Sequence, residues 1–176
     1  MEYPPRLVPE TISFELYQTL WDQGILHYIM NSVLVSAFTI ALCLGVGSLA
    51  GYALARFAFP GKSAILFTIV AVMSVPISSL LVPTFGFMVD LNLLNTRTGL
   101  VLLYAAYELP MTVWILQAFF QTIPVELERA AMVDGYSRMQ AIRRVILPLS
   151  TTGLVAAGLF VLTFAWNDFV VALVMT

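Results

Sequence analysis

Charge is scarce in this chain. Only 10% of its 176 residues are Asp, Glu, Lys or Arg, where a soluble domain carries roughly 25%. Such a chain cannot cover a globule with polar groups, and with 60% hydrophobic residues and a mean hydropathy of +0.93 its surface is expected to face lipid. Histidine and cysteine are scarcer still. His27 is the only histidine, which leaves no cluster to hold a metal, and Cys43 is the only cysteine, so no internal disulfide can form. No glycine-rich phosphate loop with its lysine is present, so the chain is not expected to hydrolyse ATP alone. The net charge of −2 and pI of about 5.2 argue against a nucleic-acid partner. No catalytic residue, cofactor or metal ligand emerges from these residues.

What is present in quantity is apolar sequence. Four stretches approach the ~20 residues a helix needs to cross a bilayer: Tyr28 to Leu54, Ser63 to Val89, Gly99 to Gln121 and Leu149 to Ala165. Backbone facing lipid must satisfy its own hydrogen bonds, so these are expected to be helices and the fold class all-α. Residues 1–27, with Pro4, Pro5 and Pro9 and several acids, read as a polar arm outside the membrane. Residues 28–176 form the membrane domain.

Orientation follows from lysine and arginine in the short loops. Arg56 and Lys62 follow the first span; Arg129, Arg138, Arg143 and Arg144 follow the third; the opposite side holds Arg6 and Arg97. This places the 56–62 and 122–148 loops in the cytoplasm and residues 1–27 outside. An exported arm without a preceding span, and an end inside the apolar run Val174-Met175-Thr176, suggest a fragment lacking a helix at each end.

Small residues let helix backbones close up in lipid, and Gly47 and Gly51, four apart, mark such a face on the first span, as Gly153, Ala157 and Gly158 do on the fourth. Pro76 and Pro83 should bend the second span, with Ser74, Ser78 and Ser79 able to satisfy freed carbonyls. Pro76 and Ser78 therefore either flank a transport site or mark a packing kink. Glu108, followed by Leu109 and Pro110, stands roughly nine residues from the outer end of the third span, ~13 Å deep. A carboxylate there needs a partner or a wet cavity. Two readings stand: a polar group on a translocation path, or a hydrogen-bonded acid satisfying carbonyls freed by Pro110. Asp168, in Trp166-Asn167-Asp168, lies near the outer surface and is not read as catalytic.

The polar stretch TIPVELERAAMVDGYSRMQAIRRVILP, residues 122–148, carries the most local structure. Pro124 suits a helix start, and Glu126 and Glu128 fall in a first turn where the helix dipole favours acids. Leu127, Ala130 and Ala131 make a small apolar face, and Gly135 terminates the helix. Ser137 and Gln140 have capping-box spacing for a second helix that runs to Pro148. Such a pair could enter a groove on another protein or lie on anionic lipid.

This segment resembles the EAA loop of permeases in binding-protein-dependent ABC importers. Ala130, Ala131, Gly135, Val145, Leu147 and Pro148 stand at the spacing of that pattern; Arg129 replaces its glutamate and Val145 its isoleucine. GSLAGYALARFAFPG (47–61), LNLLNTRTGLVL (91–102) and FAWNDFVVALVMT (164–176) look like the sugar-importer subclass, in particular the smaller permease of maltose-type systems. Asp134-Gly135 suits that subclass, although Tyr136 stands where alanine is usual. The resemblance implies a type I importer permease fold in a bacterial or archaeal inner membrane and a path for a sugar or related solute. It also implies partners: two ATPase subunits, a second permease and an extracytoplasmic solute-binding protein. ATPase contact would fall on Glu126, Glu128, Arg129, Ala130, Ala131, Asp134, Gly135, Leu147 and Pro148. Any contact made by the missing glutamate would have to be lost or supplied by Glu128. Polyols, sugar phosphates and peptides are alternative cargoes, and a secondary transporter is the more distant reading.

Overall fold

The computed structural model describes residues 14–176, and every regular element among them is helical. Pro4, Arg6 and the rest of residues 1–13 lie outside the described residues, so the expected arm is seen only from Phe14. It forms α1, Glu15–Asp22, which ends at Gly24 in the left-handed conformation, φ 78°. Helix α2, Ile25–Arg56, begins three residues before the expected span. At 32 residues it is about 48 Å long, well over the ~30 Å hydrocarbon core. The other long helix is α5, Arg97–Thr122.

α2 packs on α5 more extensively than any other two helices pack. The reason is legible in the small residues. A Cβ at Gly51 would lie 3.0 Å from the backbone N of Gln117, and one at Gly47 would lie 2.6 Å from Thr112 Cγ2. Both glycines are buried, and their absent side chains set the closeness of the two backbones. Gly153 serves in the same way against the ring of Phe119.

The second span is broken where its prolines were expected to bend it, and the fourth is one helix entered through a sharp bend. The second is α3, Lys62–Met73, and α4, Ile77–Asp90, bent at 97°. Neither piece reaches ~30 Å at ~1.5 Å per residue. The break falls at Ser74-Val75-Pro76 because Pro76 donates no hydrogen bond and drives Val75 away from helical geometry. Ser74 donates to the Val70 carbonyl at 3.0 Å, the serine compensation expected of this segment. Pro83 stays inside α4, where Thr84 donates to the Leu80 carbonyl.

The fourth span is α8, Thr151–Asn167, which meets α7, Arg138–Leu149, at 76°. The bend is at Ser150, whose buried hydroxyl donates to the Ile146 carbonyl at 2.7 Å. Upstream, residues Ile142–Ile146 widen into a π-helical turn. Pro148 explains it, since a proline ring collides with the carbonyl four residues back and a looser turn makes room. A short helix α9, Val170–Met175, packs on α4 and α5, and Met175 accepts a hydrogen bond from the Asn95 backbone N at 2.8 Å.

Candidate functional site

The loop joining α5 to α7 folds as expected in its local chemistry. Pro124 caps helix α6, Val125–Val133. Gly135 ends it at φ 91°, with Tyr136 N–H bonded to the Ala131 carbonyl and Gly135 N–H to the Met132 carbonyl, both at 3.1 Å. That double bond is the Schellman arrangement, and it calls for a residue without a Cβ. Two residues on, the Ser137 side chain accepts from the Gln140 backbone N while Gln140 Oε1 accepts from the Ser137 N–H at 2.8 Å, a complete capping box.

What holds this helix pair to the membrane domain was not anticipated. Glu128 is 3% exposed and turns inward, towards the end of α2. Tyr52 donates a hydrogen bond to Glu128 Oε1, and Arg56 Nε lies 3.3 Å from Glu128 Oε2, an ion pair without the alignment of a hydrogen bond. Arg56 also donates from Nη2 to the Ile123 carbonyl at 2.9 Å, closing the end of α5. The ring of Tyr52 meets Phe57 and Phe120 edge-on, and Arg138 stacks over Phe57 at 5.0 Å. Ile123, Ile142 and Ile146 fill the apolar cluster beside this brace with Leu116 and Ala157. The 56–62 and 122–148 loops therefore meet at one end of the bundle.

The opposite face of α6 is bare. Val133 is 87% exposed, and Glu126, Leu127, Arg129, Ala130, Asp134 and Gly135 are exposed with it. Ala131, expected on that apolar face, is buried and Val133 takes its place. Glu128 cannot stand in for a surface glutamate beside Arg129, because it is committed to Arg56 and Tyr52. Leu147 is half-buried and Pro148 exposed, on the far side of the hinge. Tyr52 and Arg56 were legible only as a tyrosine and an arginine four apart on one helix face, a spacing that shows which residues can act together but not what they meet.

A second feature lies at the break between α3 and α4. The bend between α3 and α4 opens a cleft against α5, about 390 Å³ in volume, walled by Val75, Pro76, Leu80, Tyr107, Glu108 and Met111 among others. The fold thus brings Glu108 and Pro76 to one cleft; Ser78 is exposed outside its walls. Glu108 is half-buried, and its carboxylate makes no hydrogen bond or ion pair with the described residues. The carbonyl freed by Pro110 is therefore not what occupies it. Thr112 instead donates to the backbone carbonyl of Glu108 at 2.9 Å. No group of histidine, cysteine or acidic residues among the described residues is placed to hold a metal.

Comparison with known proteins gives consistent results. The family model for the binding-protein-dependent transport system inner membrane component matches residues 44–176. The trehalose transport system permease protein SugB of Mycobacterium tuberculosis is 37% identical over 172 residues, covering 97% of this chain and 63% of the relative. The diacetylchitobiose uptake system permease protein NgcG of Streptomyces coelicolor is 36% identical over 166 residues, 94% of this chain and 55% of the relative. Among solved structures, a bacterial ABC transporter involved in import of the acidic polysaccharide alginate superposes with a TM-score of 0.72 at 26% identity. That match covers 83% of this chain and 51% of the other. The chain spans between about half and two-thirds of the length of these proteins.

Proposed function

We propose, from the premise that this chain belongs to the family of inner membrane components of binding-protein-dependent transport systems, that it is the permease subunit of an ATP-driven importer for a sugar or related solute. Its all-α fold is that of an ABC transporter permease. The curated relatives are transport components rather than enzymes. The observation that carries the mechanism is the two-sided character of α6. One side is fastened to α2 and α5 through Glu128, Arg56 and Ile123; the other presents Leu127, Ala130 and Val133 with nothing against them.

On this reading the bare side rests in a cleft of an ATPase subunit on the cytoplasmic face, with Glu126, Arg129, Asp134 and Gly135 at its margins. Leu147 and Pro148 pass the motion on through the bend at Ser150. A second permease completes the path and a soluble binding protein delivers solute outside. When ATP draws two ATPase subunits together, α6 moves with them. Because the brace is buried, α6 moves α2 and α5 rather than sliding past them, and the bundle switches between two packed arrangements. Pro76 and Glu108 line the path. The named relatives handle neutral and acidic saccharides, which supports a sugar and leaves its charge to the cleft.

The test is reconstitution of the whole membrane complex in vesicles with its ATPase. Solute uptake should require ATP, and Leu127→Asp with Val133→Asp should uncouple ATP turnover from uptake by more than tenfold. Uptake unaffected by charging both positions would remove α6 as the ATPase contact.

A further inference from the structure

The cleft at Glu108 constrains the charge of what can enter it. Its walls contain one ionisable acid, Glu108, and no lysine or arginine. The cations among the described residues are Arg56, Lys62 and Arg97 at the ends of α2, α3 and α5, and the arginines of α6 and α7 within 129–144. None is in the membrane interior to neutralise the carboxylate. The other polar features of the cleft are also acceptors or already engaged. The Val75 backbone carbonyl accepts no hydrogen bond from the described residues, and the Tyr107 hydroxyl is paired with Thr84 at 3.1 Å.

A wall of this kind suits a solute that donates. Hydroxyl groups can give charge-assisted hydrogen bonds to a carboxylate, the stronger class of such bonds. An anionic solute finds no donor to replace its hydration and meets like charge. Against the ionised carboxylate, at ~5 Å and an effective dielectric of ~20, the Coulomb repulsion disfavours it on the order of a hundredfold. We propose that Glu108 is a specificity-determining residue, and that the cleft admits neutral polyhydroxyl solutes while rejecting acidic ones. This rests on the reading that the cleft belongs to the solute path.

The experiment probes the cleft directly, so that selection by a binding protein does not enter. In the assembled transporter, with Cys43 replaced by alanine, Met111→Cys puts a thiol on the cleft wall one helical turn from Glu108. Its reaction rates with a neutral hydroxyethyl and an anionic sulfonatoethyl methanethiosulfonate are compared, each normalised to a free thiol. With Glu108 present, the anionic reagent should be slower by on the order of tenfold. Glu108→Gln should bring the two rates to within about a factor of two, and Glu108→Asp should keep the difference. Equal normalised rates with Glu108 intact would overturn the selection, and would do so without any substitution at position 108. A difference that persists undiminished in Glu108→Gln would overturn its assignment to this residue. If neither reagent reacts, the cleft is closed to water and the path reading fails with it.

Discussion

Glu128→Gln tests the brace with the least change of shape. Glutamine fills the same volume and its Oε1 can still accept from Tyr52, so the loss is confined to the charge facing Arg56. The wild-type pair is sealed, with side-chain exposures of 9% for Arg56 and 4% for Glu128. Removing one partner of a buried pair costs about 3–5 kcal/mol when the other charge is left with nothing. Arg56 keeps the Ile123 carbonyl at 2.9 Å, and a hydrogen bond to a charged group contributes about 1.5–3 kcal/mol, so the remaining cost should be near 2 kcal/mol. That cost falls on the docking of α6, not on the whole bundle, because the pair joins α6 to the end of α2 while α6 otherwise packs on α7. Hydrogen exchange followed by mass spectrometry reads it: amides of residues 125–133 should exchange roughly thirtyfold faster, with those of α2 and α5 unchanged. Arg56→Met alone should cost a similar amount. The double variant should cost less than the sum, since the two charges are removed together. Additive costs, or unaltered exchange in Glu128→Gln, would show that the pair does not hold the helix.

Three further outcomes follow from the packing and the turn. Gly51→Ala should lower the stability of the bundle in detergent by about 1–3 kcal/mol, because its Cβ lands 3.0 Å from a backbone atom of α5, whereas Gly45→Ala, with open space around it, should be silent in the same thermal melt. Gly135→Ala should weaken the α6 turn by about 1 kcal/mol through backbone strain alone, since no atom crowds that Cβ, and Gly135→Asn should recover most of it; equal exchange protection in all three proteins would remove the left-handed requirement. Val133→Cys, in a Cys43→Ala background, should react with a membrane-impermeant maleimide only from the cytoplasmic side of sealed vesicles, and labelling from outside would invert the proposed orientation.

The membrane class and the local form of the 122–148 segment are readable in the chain because both depend on neighbours in sequence. Scarce charge and long apolar runs dictate a lipid-facing surface whatever the packing. A proline, a glycine at the end of a helix, or a serine three residues before a glutamine acts within a turn or two of itself. The helix start at Pro124, the stop at Gly135 and the capping box at Ser137 could therefore be placed without a fold. Gly47 and Gly51 were visible as a packing face for the same reason, since a four-residue spacing puts them on one side of any helix.

Tertiary structure decided everything that joins distant residues. Proline at position 76 announced a bend, but only the packing of α3 and α4 set its size at 97° and turned one expected span into a broken pair around a cleft. Glu108 was conspicuous as a buried acid, and its lack of a described partner needed the neighbours of α5 to be known. Most of all, Glu128 could be read from the sequence as an acid in a first turn, and nothing local distinguishes it from Glu126. The distinction arises because α6 lies across the end of α2, where Arg56 and Tyr52 take one carboxylate out of water and leave the other in it.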